Sequence, residues 1–154
     1  MTKEHEYVAR CFCGAVELSL VGAPKAMGYC HCESCRRWSA APVNAFSLWA
    51  PDSVSVTRGE ELLGVYARSP SSERRWCKRC GGHVLTEHPG MGLVDVYAAS
   101  IEGFDFTPAV HVHYQETVLP LHDGLPKQKD LPAAMGGSGV LLPDEPADAA
   151  QGAP

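Results

Sequence analysis

The stretch 30–35 reads Cys30-His31-Cys32-Glu33-Ser34-Cys35 and places three thiols within six residues. If residues 29–32 are extended, Cys30 and Cys32 point to the same face, because side chains alternate along a strand with a period of two. Cys32 and Cys35 then form a C-x-x-C turn, the spacing with which two thiolates hold one tetrahedral ion. The stretch therefore predicts three metal ligands.

Three ligands are one fewer than a closed structural zinc site has, and they match a catalytic site with one exchangeable position. Two alternatives stay open at this point. A distant residue could complete the shell, so that the metal only stabilises the fold, and His111 and His113 on one face of a predicted strand are candidates. Alternatively, Cys30 or Cys35 is a free reactive thiol.

The other four cysteines predict a second, closed site. Cys11 and Cys13 form a C-x-C pair, and Cys77 and Cys80 form a C-x-x-C pair followed by Gly81-Gly82. Glycine after a metal-binding turn allows positive φ, which lets backbone N–H groups approach the sulfurs. Four ligands plus three use all seven cysteines. An odd number of cysteines also fits metal binding better than a disulfide framework.

Composition excludes several other classes of protein. The 154 residues are enough for one domain. Residues 3–6, Lys-Glu-His-Glu, precede any apolar run, and no apolar stretch reaches the roughly 18 residues of a membrane span. We therefore expect a cytoplasmic protein with no signal peptide and no membrane partner. A net charge of -5 disfavours nucleic acid as a partner, because a polyanion would be repelled.

Alternation of apolar and polar residues predicts a mainly β protein. The expected strands cover residues 16–21, 26–29, 43–49, 54–57, 62–66, 74–77, 83–86, 93–97 and 110–114, with one helical turn at 33–38. From Ala133 the chain is rich in Gly, Ala and Pro and has no basic residue. We therefore expect a zinc-binding domain over residues 1–132 and a disordered C-terminal tail over residues 133–154.

Three cysteine-containing segments resemble the signature of the glutathione-dependent formaldehyde-activating (GFA) family, which includes centromere protein V domains. They read Cys11-Phe12-Cys13-Gly14-Ala15-Val16, Cys30-His31-Cys32 through Cys35-Arg36-Arg37, and Cys77 through Cys80-Gly81. His111 and residues 121–126 also resemble the C-terminal part of the family. The chain departs from the family after Arg37, where a glycine is common and this sequence has Ser39-Ala40-Ala41.

The resemblance implies an Mss4-like β-sheet fold with zinc knuckles and short helical turns. It also implies two Zn²⁺ ions as cofactors: a structural ion on Cys11, Cys13, Cys77 and Cys80, and a catalytic ion on Cys30, Cys32 and Cys35. The implied activity is that of a carbon–sulfur lyase similar to S-hydroxymethylglutathione synthase. Such an enzyme adds a zinc-activated thiol, glutathione or a similar one, to formaldehyde or a related small aldehyde. The alternative is a non-catalytic, zinc-stabilised binding module for a protein partner.

Overall fold

The computed structural model describes residues 4–144 and divides them into two compact units. Unit 1 contains residues 4–27 and 45–107, and unit 2 contains residues 28–44 and 108–144. The strands are β1 (Glu6–Arg10), β2 (Glu17–Val21), β3 (Ala26–Cys30), β4 (Asn44–Trp49), β5 (Val54–Arg58), β6 (Leu63–Ser69), β7 (Ser72–Cys77), β8 (His83–His88), β9 (Leu93–Tyr97), β10 (His111–Val112), β11 (Lys127–Gln128) and β12 (Leu141–Leu142). The helix α1 covers Glu33–Ser39, and short 3-10 helices cover Pro51–Ser53, Glu60–Leu62, Ala98–Ser100, Tyr114–Glu116 and Ala133–Met135.

The predicted fold class is confirmed, because strands dominate the described chain and the helices are short. The strands predicted from residue 16 to residue 97 are present, and residues 33–39 form the expected short helix. No helix within residues 4–144 is long and apolar enough to cross a membrane.

Unit 1 contains two groups of antiparallel strands. The first has the order β1-β2-β5, and the second has the order β4-β9-β8-β7-β6. Alternation determines which side chains they bury: Leu18 and Leu20 of β2 are fully buried, whereas Ser19 between them is not. The buried core of this unit contains Ala9, Cys11, Val16, Leu18, Leu20, Trp49, Cys77, Val84, Leu85, Val94, Val96 and Ile101. Cys11 and Cys77 are therefore part of the core.

Unit 2 contains short strands in the order β12-β11-β10-β3, followed in sequence from β3 by α1. β10 pairs in parallel with both β3 and β11, and β11 pairs antiparallel with β12. Val112 lies opposite Cys30 in this ladder. The ladder continues past the end of β3, because the His31 N–H donates to the Val112 carbonyl at 3.1 Å.

Two expectations from the sequence differ from the structure of unit 2. The strand predicted at 110–114 is only His111–Val112, because His113 has a left-handed backbone (φ 52°) and a 3-10 helix follows it. Part of the expected disordered tail is ordered: Ala133–Met135 is helical, and Leu141–Leu142 pairs with β11. A neighbouring strand supplies the hydrogen bonds that this Gly- and Pro-rich composition does not suggest. The rest of that tail, residues 145–154, lies outside the described residues.

Candidate metal centre

The four cysteines predicted to form a closed site come together in unit 1. The sulfurs of Cys11, Cys13, Cys77 and Cys80 all lie within 4.8 Å of one another. The Cys13 sulfur is 3.7 Å from that of Cys11 and 3.9 Å from that of Cys77. Two thiolates that bind one zinc tetrahedrally at about 2.3 Å each are about 3.8 Å apart. The sulfur spacing therefore fits a tetrahedral ion.

The backbone after Cys80 is arranged as Gly81 and Gly82 predicted, and backbone N–H groups approach sulfurs in both turns. The Gly81 N–H donates to the Cys77 carbonyl at 2.8 Å with Gly81 at φ 74°, and the Gly82 N–H then reaches the Cys80 sulfur at 3.3 Å. A Cβ on Gly82 would lie 3.2 Å from that sulfur, so a larger residue would crowd the turn. In the other turn, the Val16 N–H donates to the Cys11 sulfur at 3.2 Å. These N–H groups favour thiolates over thiols.

The thiols of this cluster ionise unequally. Burial opposes ionisation of Cys80, but hydrogen bonds, the Gly82 N–H first among them, lower its pKa to about 6. The Ala15 N–H favours the Cys13 thiolate, yet loss of hydration and the neighbouring sulfurs raise the pKa of Cys13 to about 11. Four thiolates this close together repel one another unless a cation lies among them. The donor set therefore suits a divalent metal.

The second cluster contains the three cysteines of the opening stretch and lies in unit 2. The sulfurs of Cys30, Cys32 and Cys35 are all within 4.8 Å of one another, and among residues 4–144 no other Cys, His, Asp or Glu joins them. Cys30 ends β3, whereas Cys32 is the N-cap of α1 and accepts the Cys35 N–H on its sulfur at 3.2 Å. Strand end and helix start thus bring the three sulfurs together.

Charge repulsion also governs ionisation in the three-cysteine cluster. Hydrogen bonding with Cys32 and Cys35, together with burial, raises the pKa of Cys30 well above its usual value. The same hydrogen bonds, from Cys30 first, lower the pKa of Cys32 well below the usual value. One thiolate is therefore stabilised by two neighbours that keep their protons. All three sulfurs could ionise together only around a cation.

A hydrogen-bonded network whose two histidines and lysine are buried lies beside this cluster. His111 was considered in the sequence analysis but was not connected there with His31, Asp123 and Lys127. His31 Nε2 is 2.8 Å from His111 Nδ1, and His111 Nε2 is 2.8 Å from an Asp123 oxygen. Lys127, whose side chain has no exposed surface, donates to the other Asp123 oxygen at 2.5 Å. Burial, His111 and Lys127 lower the pKa of His31 to about 4. Burial disfavours the ionised form of the Asp123 carboxyl group, but hydrogen bonds from Lys127 and His111 hold its pKa well below the usual range.

His111 and His113, which the sequence analysis considered as a source of a fourth metal ligand, lie in different environments. Both ring nitrogens of His111 are engaged, with His31 and with Asp123. Its ring is fully buried, and Tyr29 stacks on it at 5.0 Å between ring centroids. His113 follows in a left-handed conformation that ends the strand alternation. Neither residue belongs to the three-sulfur group, so these three sulfurs alone form the cluster in residues 4–144.

The sequence profile of the glutathione-dependent formaldehyde-activating enzyme family matches residues 6–116, a span that contains both cysteine clusters. The chain belongs to this family. An uncharacterized lyase of Schizosaccharomyces pombe is 41% identical to this GFA-family chain over 76 residues, which cover 49% of the chain and 53% of that lyase. The chain thus spans about half the length of this curated relative.

A similar fold has been determined by crystallography for a Rhodobacter sphaeroides protein that was a structural genomics target. The two structures superpose with a TM-score of 0.53 and 24% sequence identity, covering 64% of this chain and 90% of the other. This similarity concerns the fold.

Proposed function

We propose that this GFA-family protein is a zinc-dependent carbon–sulfur lyase that joins a small thiol, glutathione or a similar one, to formaldehyde or a related small aldehyde. In the synthetic direction the thiol sulfur bonds to the carbonyl carbon, the carbonyl oxygen takes up a proton, and the thiol proton is released. The reverse reaction breaks the same carbon–sulfur bond. The observation that carries the proposal is the three-sulfur cluster of Cys30, Cys32 and Cys35, one ligand short of a closed zinc site.

Zinc held by three thiolates would supply a Lewis acid that favours the ionised form of a substrate thiol. Cys30, Cys32 and Cys35 act as ligands in this scheme and not as nucleophiles. The Cys35 N–H holds the Cys32 sulfur in place, and Cys30 is buried. Arg36 fixes the backbone between the first two ligands, because its Nε donates to the His31 carbonyl at 2.9 Å.

A second zinc ion on Cys11, Cys13, Cys77 and Cys80 would have a structural role in this proposal. Cys11 and Cys77 lie in the apolar core of unit 1, where a four-thiolate site adds directly to folding free energy. The proposed partners are therefore a small thiol and an aldehyde, without nucleic acid. A cytoplasmic location stays a prediction from the sequence.

The proposal can be tested by calorimetric titration of glutathione into the zinc-loaded protein, in buffers that differ in ionisation enthalpy. We expect binding with release of a proton, because a sulfur that coordinates metal must be deprotonated. Exchange of ¹³C-formaldehyde with its S-hydroxymethyl adduct, followed by NMR, should be accelerated by the wild type. Cys35→Ser should abolish both effects. Glu33→Gln, an exposed change in the same helix, should leave both unchanged.

Zinc-edge X-ray absorption separates the enzyme from the binding module. The enzyme requires an average sulfur coordination between three and four per zinc, with a non-sulfur ligand that a thiol displaces. Binding of another small thiol in place of glutathione would keep the reaction type and change the substrate. Two bound zinc ions, no thiol binding and a non-sulfur ligand that no thiol displaces would refute the lyase proposal and favour the module.

A further inference from the structure

His31 is held at every polar atom that it has. Its N–H donates to the Val112 carbonyl at 3.1 Å, and its carbonyl accepts from Arg36 Nε at 2.9 Å. Its ring nitrogens contact His111 Nδ1 and Thr117 Oγ1, both at 2.8 Å. Cys30 and Cys32 flank this residue, and alternation directs their side chains away from the His31 ring. Whatever fixes His31 therefore fixes the backbone between two of the three cysteines.

The hydrogen bonds of this network have a direction that Asp123 determines. An ionised carboxylate only accepts hydrogen bonds, so His111 must carry its proton on Nε2, which faces Asp123 at 2.8 Å. In the neutral ring, His111 Nδ1 is then an acceptor, and His31 Nε2 must carry the proton that it receives. His31 Nδ1 is left to accept from the Thr117 hydroxyl, whose one proton then points to His31 at 2.8 Å and not to the Leu119 carbonyl at 3.0 Å. The chain of donors thus runs from Thr117 to Asp123.

Lys127 keeps the Asp123 carboxylate in its orientation. Its ammonium group donates to Asp123 Oδ1 at 2.5 Å and to the Leu125 carbonyl at 3.0 Å, and it lies 3.3 Å from Asp144. The Leu125 N–H also donates to Asp123 Oδ1, at 3.1 Å. Oδ1 therefore faces two donors and Oδ2 faces His111. The Tyr114 ring packs edge-on against both histidines, so the histidine end of the network is enclosed, whereas the Asp123 side chain is 35% exposed.

We infer that Asp123 is a positioning residue for the three-cysteine site: through His111 it holds His31 in one tautomer, and through His31 it holds the segment that bears Cys30 and Cys32. The inference rests on the proposed function only in taking that cluster as the metal site. A positioning carboxylate of this kind, two hydrogen bonds removed from the ligand segment, resembles the outer partners that orient metal ligands in other proteins.

The tautomers can be measured on the full-length protein by long-range ¹H–¹⁵N NMR of its histidine rings. In the wild type, His31 and His111 should both be protonated on Nε2 only. Asp123→Asn should reverse the chain, because the asparagine oxygen is drawn to Lys127 and its NH₂ group then faces His111. Both rings should switch to the Nδ1-protonated tautomer. Glu116→Gln, an exposed carboxylate-to-amide change in the same unit, should alter neither ring. A wild-type ring protonated on Nδ1 would overturn the inferred direction.

The effect on the metal site can be read separately with ¹¹³Cd²⁺, which gives distinct resonances for three-thiolate and four-thiolate sites. Asp123→Asn should shift the three-thiolate resonance and leave the four-thiolate resonance unchanged. It should also weaken Cd²⁺ binding to the three-thiolate site about tenfold. Thr117→Val, which keeps every charge and removes the donor to His31 together with the hydroxyl's contacts with the Leu119 backbone, provides a second variant in case Asp123→Asn does not fold. It should shift the three-thiolate resonance alone.

The two proposals fail in different ways in this experiment. A wild type without a three-thiolate resonance would refute the metal site on which the proposed function depends. A wild-type resonance that stays at the same position and affinity in Asp123→Asn, or in Thr117→Val where the first variant does not fold, would refute the positioning role alone.

Discussion

Replacing Asp123 by asparagine should destabilise the protein more than replacing Lys127 by methionine, although each change removes one member of the same ion pair. The difference follows from burial. The Lys127 side chain has no exposed surface, whereas the Asp123 side chain is 35% exposed. Asp123→Asn leaves a buried ammonium group with less countercharge. Lys127→Met leaves a carboxylate that water can reach and that still accepts hydrogen bonds from His111 and Leu125.

The expected sizes follow from the distances. Opposite unit charges 2.5 Å apart attract by about 6 to 7 kcal/mol at an effective dielectric constant of about 20. The asparagine oxygen retains a hydrogen bond to Lys127, Asp144 remains 3.3 Å away, and water screens Asp123. The net cost should therefore be about 3 kcal/mol, at the low end for a buried charge that loses its partner. Lys127→Met should cost about 1 kcal/mol, because removing the buried charge offsets most of the lost hydrogen bonding.

Urea denaturation at pH 7, followed by circular dichroism, measures both free energies of unfolding. Glu116→Gln is the matched control and should change stability by less than about 0.5 kcal/mol. The double variant Asp123→Asn/Lys127→Met should be more stable than Asp123→Asn, since it no longer buries the ammonium group. Equal losses for the two single variants, or a double variant less stable than both, would refute the assignment of Lys127 as the buried charge.

Four further outcomes are expected. Cys77→Ser should lower the melting temperature far more than Cys35→Ser, because Cys77 lies in the core of unit 1 and in the four-cysteine site; equal losses in a thermal scan would contradict the division into two sites. Deletion of residues 140–154 should lower the melting temperature, since it removes β12 and the Asp144 contacts with His122, Gly124 and Lys127; an unchanged scan would show that these contacts add nothing. Ala40→Gly should raise stability by up to about 1 kcal/mol in urea titrations, because Ala40 caps α1 with φ 50°, and a loss would mean that this backbone is unstrained. The pKa of Asp123 in the folded protein is below its ordinary 3.8, so the stabilisation that its carboxylate provides is present above about pH 4 and is lost as the pH falls further. Asp123→Asn should therefore reduce the loss of stability at acid pH when the free energy of unfolding is measured against pH. An unchanged loss would mean that other carboxyl groups cause it.

The segment after Arg37, where the family resemblance leads one to expect a glycine, shows how far a local pattern can be interpreted. The sequence has Ser39-Ala40-Ala41 at that point, which by itself indicates nothing about the backbone there. The structure puts Ala40 at the C-cap of α1 in the left-handed region, with its N–H on the Arg36 carbonyl. Glycine is favoured there because it has no Cβ to strain. Ala40 therefore forms the cap that glycine favours, but with a strained backbone.

The sequence determined both cysteine clusters and most of the β-strands, because each depends on short-range spacing. Two cysteines separated by one or two residues can share an ion wherever the chain forms a strand or a tight turn, and the glycines beside Cys80 already indicated the N–H groups that approach its sulfur. Period-two alternation likewise predicts strands from neighbouring residues alone.

Only the tertiary structure decided the surroundings of the three-cysteine site. His31 and His111 are 80 residues apart in sequence and meet because β10 pairs in parallel with β3, a contact that no local pattern encodes. Lys127 is an ordinary surface residue by type, yet it is buried between Asp123 and Asp144. Asp144 belongs to a segment whose composition predicted disorder, and it is ordered because buried charge must be compensated by a partner.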